Sequence, residues 1–144
     1  MAIFTTGAIE NRGREIKSLV VRGANVGTQA ADVLLEVFHA LNAADGPSVQ
    51  QLYVQRLVAV GPDQLQTFDN IFSDLDAVTV RVTTSNLGAD TVSVSVTARD
   101  SQRRLTGLQP SVERIIASPQ LAAVRVADNN QTTGILTDNN RTTG

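Results

Sequence analysis

The sequence predicts an all-β chain: a jelly-roll-like antiparallel β-sandwich with an extended N-terminal arm and an irregular C-terminal extension. Three observations carry this. Residues 77–100, "AVTVRVTTSNLGADTVSVSVTARD", alternate with period two, placing Val78, Val80 and Val82 opposite Thr79, Arg81 and Thr83, then Val92, Val94, Val96 and Ala98 opposite Thr91, Ser93, Ser95 and Thr97. Five apolar runs are separated by Gly, Pro and Asn turn signals, with no strand–helix–strand rhythm. Aromatic residues make up only 3% of the chain against 42% hydrophobic residues, so branched aliphatics, which suit a pleated surface, must fill the interior. At 144 residues the chain is one domain, long enough to bury a core without metals or cross-links.

Taken in order, residues 1–14 contain Gly7 and Gly13 and show no sustained alternation, which sets them apart as an arm. "EIKSLVVRGA" is the first strand-like run and breaks at Asn25-Val26-Gly27-Thr28. "DVLLEVFHALN" fits a helix through Leu34, Phe38 and Leu41 and a strand through Val33, Leu35 and Val37. Its β-branched content and its strand-like neighbours favour the strand. Asp45-Gly46-Pro47 then turns the chain into "VQQLYVQRLVAV", and Gly61-Pro62-Asp63 turns it again. "FDNIFSDL" admits a helical turn but reads better as a strand followed by a turn. The two alternating strands complete a core at residues 15–108, six or seven strands in all. A final core segment, 109–127, holds "PSVERIIASP", one helical turn or a strand, and "LAAVRV", a last strand.

The tail, 128–144, repeats itself: "DNNQTTG" and "DNNRTTG" lie ten residues apart with "ILT" between them. One reading is a polar tail in which turns are cheap. The other is a short strand-and-turn ladder ordered against a neighbour, with Asn129, Asn130, Thr132, Ile135, Leu136, Asn139, Asn140 and Thr142 as its contact residues. Two copies are few for a true repeat architecture.

The chemistry-bearing residues are sparse. With no cysteine there is no disulfide, thiolate metal site or cysteine nucleophile. His39 is the lone histidine and falls inside an apolar strand, where a satisfied structural role is the commoner one. Asp69, Asp74 and Asp76 are the nearest thing to a carboxylate site for glycoside or calcium chemistry. Their spacing is common, no glycine-anchored calcium loop follows, and no tryptophan is present to stack on a sugar. Phosphate-loop, dinucleotide and nucleophile-elbow motifs are absent. The expectation is a protein that is not an enzyme and takes no cofactor or metal. A net charge of −2 with scattered acids and bases gives no nucleic-acid footprint. No run approaches the roughly 20 apolar residues of a membrane span, and the N-terminus lacks a secretory signal pattern.

An arm and a sandwich together suggest assembly. Fourteen extended residues at about 3.3 Å each span about 45 Å, while a domain of this size has a radius of gyration of about 15 Å. The arm can therefore reach a second copy, with Ile3, Phe4 and Ile9 as its apolar anchors and a sheet edge as its template. A head-to-tail contact of this kind propagates into a fibre. The plain alternative is a frayed terminus.

The runs "IKSLVVRGANVGTQAADVLLEVFHAL", "QLYVQRLVAVGPDQLQTFDNIFSDLDAVTVRVTTS" and "DTVSVSVTARD", across residues 16–100, resemble small β-sandwich proteins of spore-forming Gram-positive bacteria, in particular endospore-appendage subunits. That resemblance implies a jelly-roll core, an N-terminal connector inserted into a neighbouring subunit, and an extracellular fibre on a spore or cell surface. The connector cysteines of such subunits are missing here, so a relative would hold together by strand addition and packing alone. The expected function is a homo-oligomeric filament subunit, a head-to-tail polymer without membrane insertion. A monomeric binding, adhesion, coat or phage-structural module is the alternative.

Overall fold

The computed structural model describes residues 1–40 and 46–115. The tail repeat residues Asn129, Asn130, Thr132, Ile135, Leu136, Asn139, Asn140 and Thr142 lie outside the described residues, as does "LAAVRV". Eight strands are formed by the described residues: β1 (Ile3–Glu10), β2 (Ser18–Asn25), β3 (Ala31–Ala40), β4 (Gln51–Val60), β5 (Gln64–Phe72), β6 (Ala77–Thr84), β7 (Val92–Arg99) and β8 (Glu113–Ile115). They make two antiparallel sheets, a five-stranded one in the order β4-β3-β6-β1-β8 and a three-stranded one in the order β5-β2-β7. The architecture is β-sandwich-like, with a single apolar core fed by both sheets.

The alternating valines account for that core. Val78, Val80 and Val82 of β6 join Val33, Leu35 and Val37 of β3 on one side. Leu19 and Val21 of β2, Phe68 and Ile71 of β5, and Val96 and Ala98 of β7 join them from the other sheet. The two cleanest strands, β6 and β7, thus lie in different sheets and contribute to one cluster. The ambiguous segment is the strand β3, and "FDNIF" ends strand β5 ahead of a turn. Between β6 and β7 the chain makes a short 3₁₀ turn at Asn86–Gly88. A Cβ on Gly88 would come within 2.7 Å of the Ala31 Cβ, so the turn packs there only as glycine.

The N-terminal segment departs from the expectation of an arm without strand pattern. Residues Ile3–Glu10 are a full strand of the chain's own five-stranded sheet, between β6 and β8. A bulge hid them. Thr5 pairs with Arg81 and Ala8 with Thr79, so Thr6 and Gly7 together oppose Val80. The extra residue shifts the alternation by one, and Phe4 and Ile9, an odd number of positions apart, both serve the core. Gly7 has φ +65°, the left-handed conformation such a bulge uses. The Thr6 hydroxyl accepts the Val80 N–H at 3.1 Å and repairs the interrupted ladder.

Candidate functional site: the N-terminal strand and the outer sheet face

The first ten residues fill a slot. Ala2 is fully buried and Phe4 is 7% exposed. Ile9 packs against the same core, while Ile3 points to the outer face. Of the three expected anchors, the structure therefore brings Phe4 and Ile9 to the core side and Ile3 to the other. Ala2, which a small side chain makes inconspicuous in sequence, is the anchor that pattern reading missed. Its C=O accepts the Thr84 N–H at 2.9 Å and its N–H donates to Thr84 Oγ1 at 3.2 Å. These partners are some eighty residues away along the chain, so the pairing costs substantial loop-closure entropy.

A closed hinge joins β1 to β2. The buried Asn11 side chain donates to the carbonyls of Ile16 and Ser73, each at 2.9 Å, and accepts the Ile16 N–H at 3.0 Å. Arg14, at φ +55°, places its guanidinium on Asp76 at 2.7 Å and on Asp74 at 3.5 Å. Lys17 reaches Asp74 at 3.2 Å. The two carboxylates that stood out in sequence are thus taken up by hinge cations. Asp69 instead accepts the Asn70 N–H in the β5 bulge, away from them. Among the described residues no group of three or more His, Asp or Glu side chains is arranged to hold a metal ion.

The hydrogen bond from Lys17, with Arg14 adding to it, lowers the Asp74 pKa below the ordinary carboxylate value. A carboxylate depressed on folding contributes stability above its unfolded pKa, about 3.9, and loses it as pH falls through the lower folded value. Asp74→Asn should therefore flatten the acid limb of the stability–pH curve below about pH 4 and lower the neutral plateau by the same small amount, small because exposed ion pairs contribute little. Urea midpoints at a series of pH values check this. An acid limb of unaltered slope would remove Asp74 from the account.

The outer face of the five-stranded sheet presents three cross-strand rows. Gln55, Glu36, Arg81, Thr5 and Glu113 lie in register across all five strands. Arg81 bonds Glu36 at 2.8 Å and lies over the Phe38 ring, 4.9 Å from its centroid, while Gln55 donates to the second Glu36 oxygen at 3.1 Å. An apolar row on one side runs Leu57, Leu34, Thr83, Ile3 and Ile115; on the other side run Leu52, Phe38, Thr79 and Ala8. Leu57 is 71% exposed, and Leu52 and Ile115 are each 44% exposed. Ile3, Thr5, Phe38, Gln50, Thr79, Arg81 and Ile115 border a shallow groove of about 420 Å³ on this face.

His39 stacks edge-on against Tyr53 at 5.2 Å, and its buried Nδ1 has no hydrogen-bond partner among the described residues, so the expectation of a satisfied structural histidine is not met at that atom. Burial pushes the Tyr53 hydroxyl up to about 12, and it donates to the Phe72 carbonyl at 2.5 Å.

No family model, no curated protein and no solved structure matches this chain. The resemblance to endospore-appendage subunits therefore rests on the sequence pattern alone. No helix among the described residues is long and apolar enough to cross a membrane.

Proposed function

We propose that the protein is a non-enzymatic structural subunit that assembles head to tail into an extracellular filament by donating its N-terminal strand to the next copy. One observation carries the reading: the chain's first ten residues complete the five-stranded sheet between β6 and β8. A slot filled by an N-terminal strand can be filled by the same strand of another copy, with the contacts inside the slot preserved. Phe4 and Ile9 would enter the neighbour's core, and the bulge at Thr6-Gly7 would fix the register. The jelly-roll winding belongs to the same proposal. Pairing of β2 with both β5 and β7, and of β3 with β6, joins sequence-distant strands as folded-over Greek keys do, whereas β4 beside β3 is a plain hairpin.

A second reading, the monomeric binding or adhesion module, is favoured by the hinge. The bonds between Asn11 and Ile16 close the connection from β1 to its own β2 and act against exchange.

Negative-stain electron microscopy of the full chain beside a chain beginning at Glu15 separates the two. Filaments from the full chain, none from the shortened one, and capture of a peptide of residues 1–14 by the shortened chain are the expected results. Small discrete particles from the full chain at every concentration would sink the filament and leave the module.

A further inference from the structure

The outer face of the five-stranded sheet is self-complementary, and from this we infer that it packs against the same face of a second copy. This goes beyond strand donation and does not need it. Consider a two-fold axis midway between two facing sheets, parallel to the strands and over the gap between β3 and β6. It carries β3 onto β6 and β4 onto β1 at the same height along the strands. Glu36 then meets the second copy's Arg81, and Arg81 its Glu36. Gln55 meets Thr5, Leu57 meets Ile3, and Leu34 meets Thr83, each pair following from the register of the sheet.

Opposite charges fall on opposite charges, and Leu57 falls on Ile3. Glu36 and Arg81 are already paired within each copy at 2.8 Å, so docking leaves neither charge alone. It adds two cross-copy pairings and covers Leu57, which is 71% exposed.

The size of the face sets the strength. Four strands at about 4.8 Å spacing and eight residues at about 3.3 Å rise give a projected area of about 500 Å² per copy. The total, about 1,000 Å², is the lower limit for a specific contact. Alone it makes a weak dimer. Repeated between two filaments it would be strengthened by avidity and hold them side by side.

The chain has no cysteine, so cross-linking through single introduced cysteines is clean. Facing sheets lie about 10 Å apart, beyond the Cα separation of about 7 Å that a disulfide tolerates, so a short bismaleimide serves as the bridge. Leu57 and Ile3 sit three strand spacings apart in one sheet, about 14 Å, too far for the same bridge. Leu57→Cys protein mixed with Ile3→Cys protein and treated with the bismaleimide should give a covalent dimer on a denaturing gel, at least tenfold more than either variant alone. A parallel mixture of Ile3→Cys and Thr83→Cys reports strand donation instead, because those positions pair directly within a sheet. If only the second mixture cross-links, the facing contact is overturned and strand donation stands. If only the first does, the facing contact holds and strand donation fails. Silence from both overturns the facing contact, and so does a Leu57→Cys homodimer as abundant as the mixed one, which would place the axis elsewhere.

Discussion

Phe4→Ala should remove about 3–5 kcal/mol of folding stability, the usual loss for deleting a buried phenyl ring. Phe4 is 7% exposed, pairs with Val82 across β6, and belongs to the main core cluster. Ile3, its immediate neighbour, is the internal control. It faces outward on the same strand, half-buried, and Ile3→Ala should cost about 1 kcal/mol at most, because a partly exposed side chain loses little burial. Urea titration should therefore show the midpoint of Phe4→Ala far below that of Ile3→Ala, with equal slopes. If the two variants lose similar amounts, β1 is not anchored by its inward face and the slot argument for strand donation falls with it. The comparison also bears on assembly. A strand that exchanges carries Phe4 into the neighbour's core, so Phe4→Ala should abolish filaments, while Ile3→Ala should leave their formation intact and weaken only the facing contact.

The residues that were easiest to read in the sequence are those whose burial is one-sided. β6 and β7 announced themselves because Val78, Val80, Val82, Val92, Val96 and Ala98 are buried and their alternate neighbours are not. β3 was harder for a physical reason: its outer face carries the apolar Leu34 and Phe38 on either side of Glu36, so the strand has no clean wet side. β1 was illegible as a strand because of one inserted residue. Without the bulge, Phe4 and Ile9 would lie on opposite faces, and alternation fails across Thr6-Gly7. The hinge shows a third limit. Asp74 and Asp76 drew attention as a carboxylate pair, but what matters is the Arg14 and Lys17 opposite them, which lie about sixty residues away and carry no local signal. The cross-strand row through Glu36 and Arg81 is likewise a product of register, which no single strand encodes.

The hinge decides between the two functional readings, and Asn11→Ala tests it directly. Asn11 is 5% exposed, and its side chain satisfies the Ile16 N–H and the carbonyls of Ile16 and Ser73. Alanine leaves these buried groups without partners, a loss of about 2–3 kcal/mol. The backbone bonds of the hinge remain, from Asn11 N–H to the Asp76 carbonyl at 2.7 Å and from Arg14 N–H to the Asn11 carbonyl at 3.0 Å, so the fold itself should survive. The sign of the functional effect is the informative part. The two bonds between Asn11 and Ile16 exist only while β1 returns to its own sheet, whereas the contacts of β1 within a slot, the Asn11–Ser73 bond included, are the same in either arrangement. Losing the Ile16 bonds, about 1–2 kcal/mol, therefore raises the free energy of the closed monomer relative to the donated state and shifts that equilibrium about 5–30-fold, at tenfold per 1.4 kcal/mol. Asn11→Ala should lower the melting temperature of the monomer and at the same time accelerate and strengthen assembly, read by light scattering at fixed concentration. A variant that is merely less stable, with no gain in assembly at any concentration, would show that β1 does not leave its own sheet. The hinge would then be a lock rather than a gate, and the protein a monomeric module.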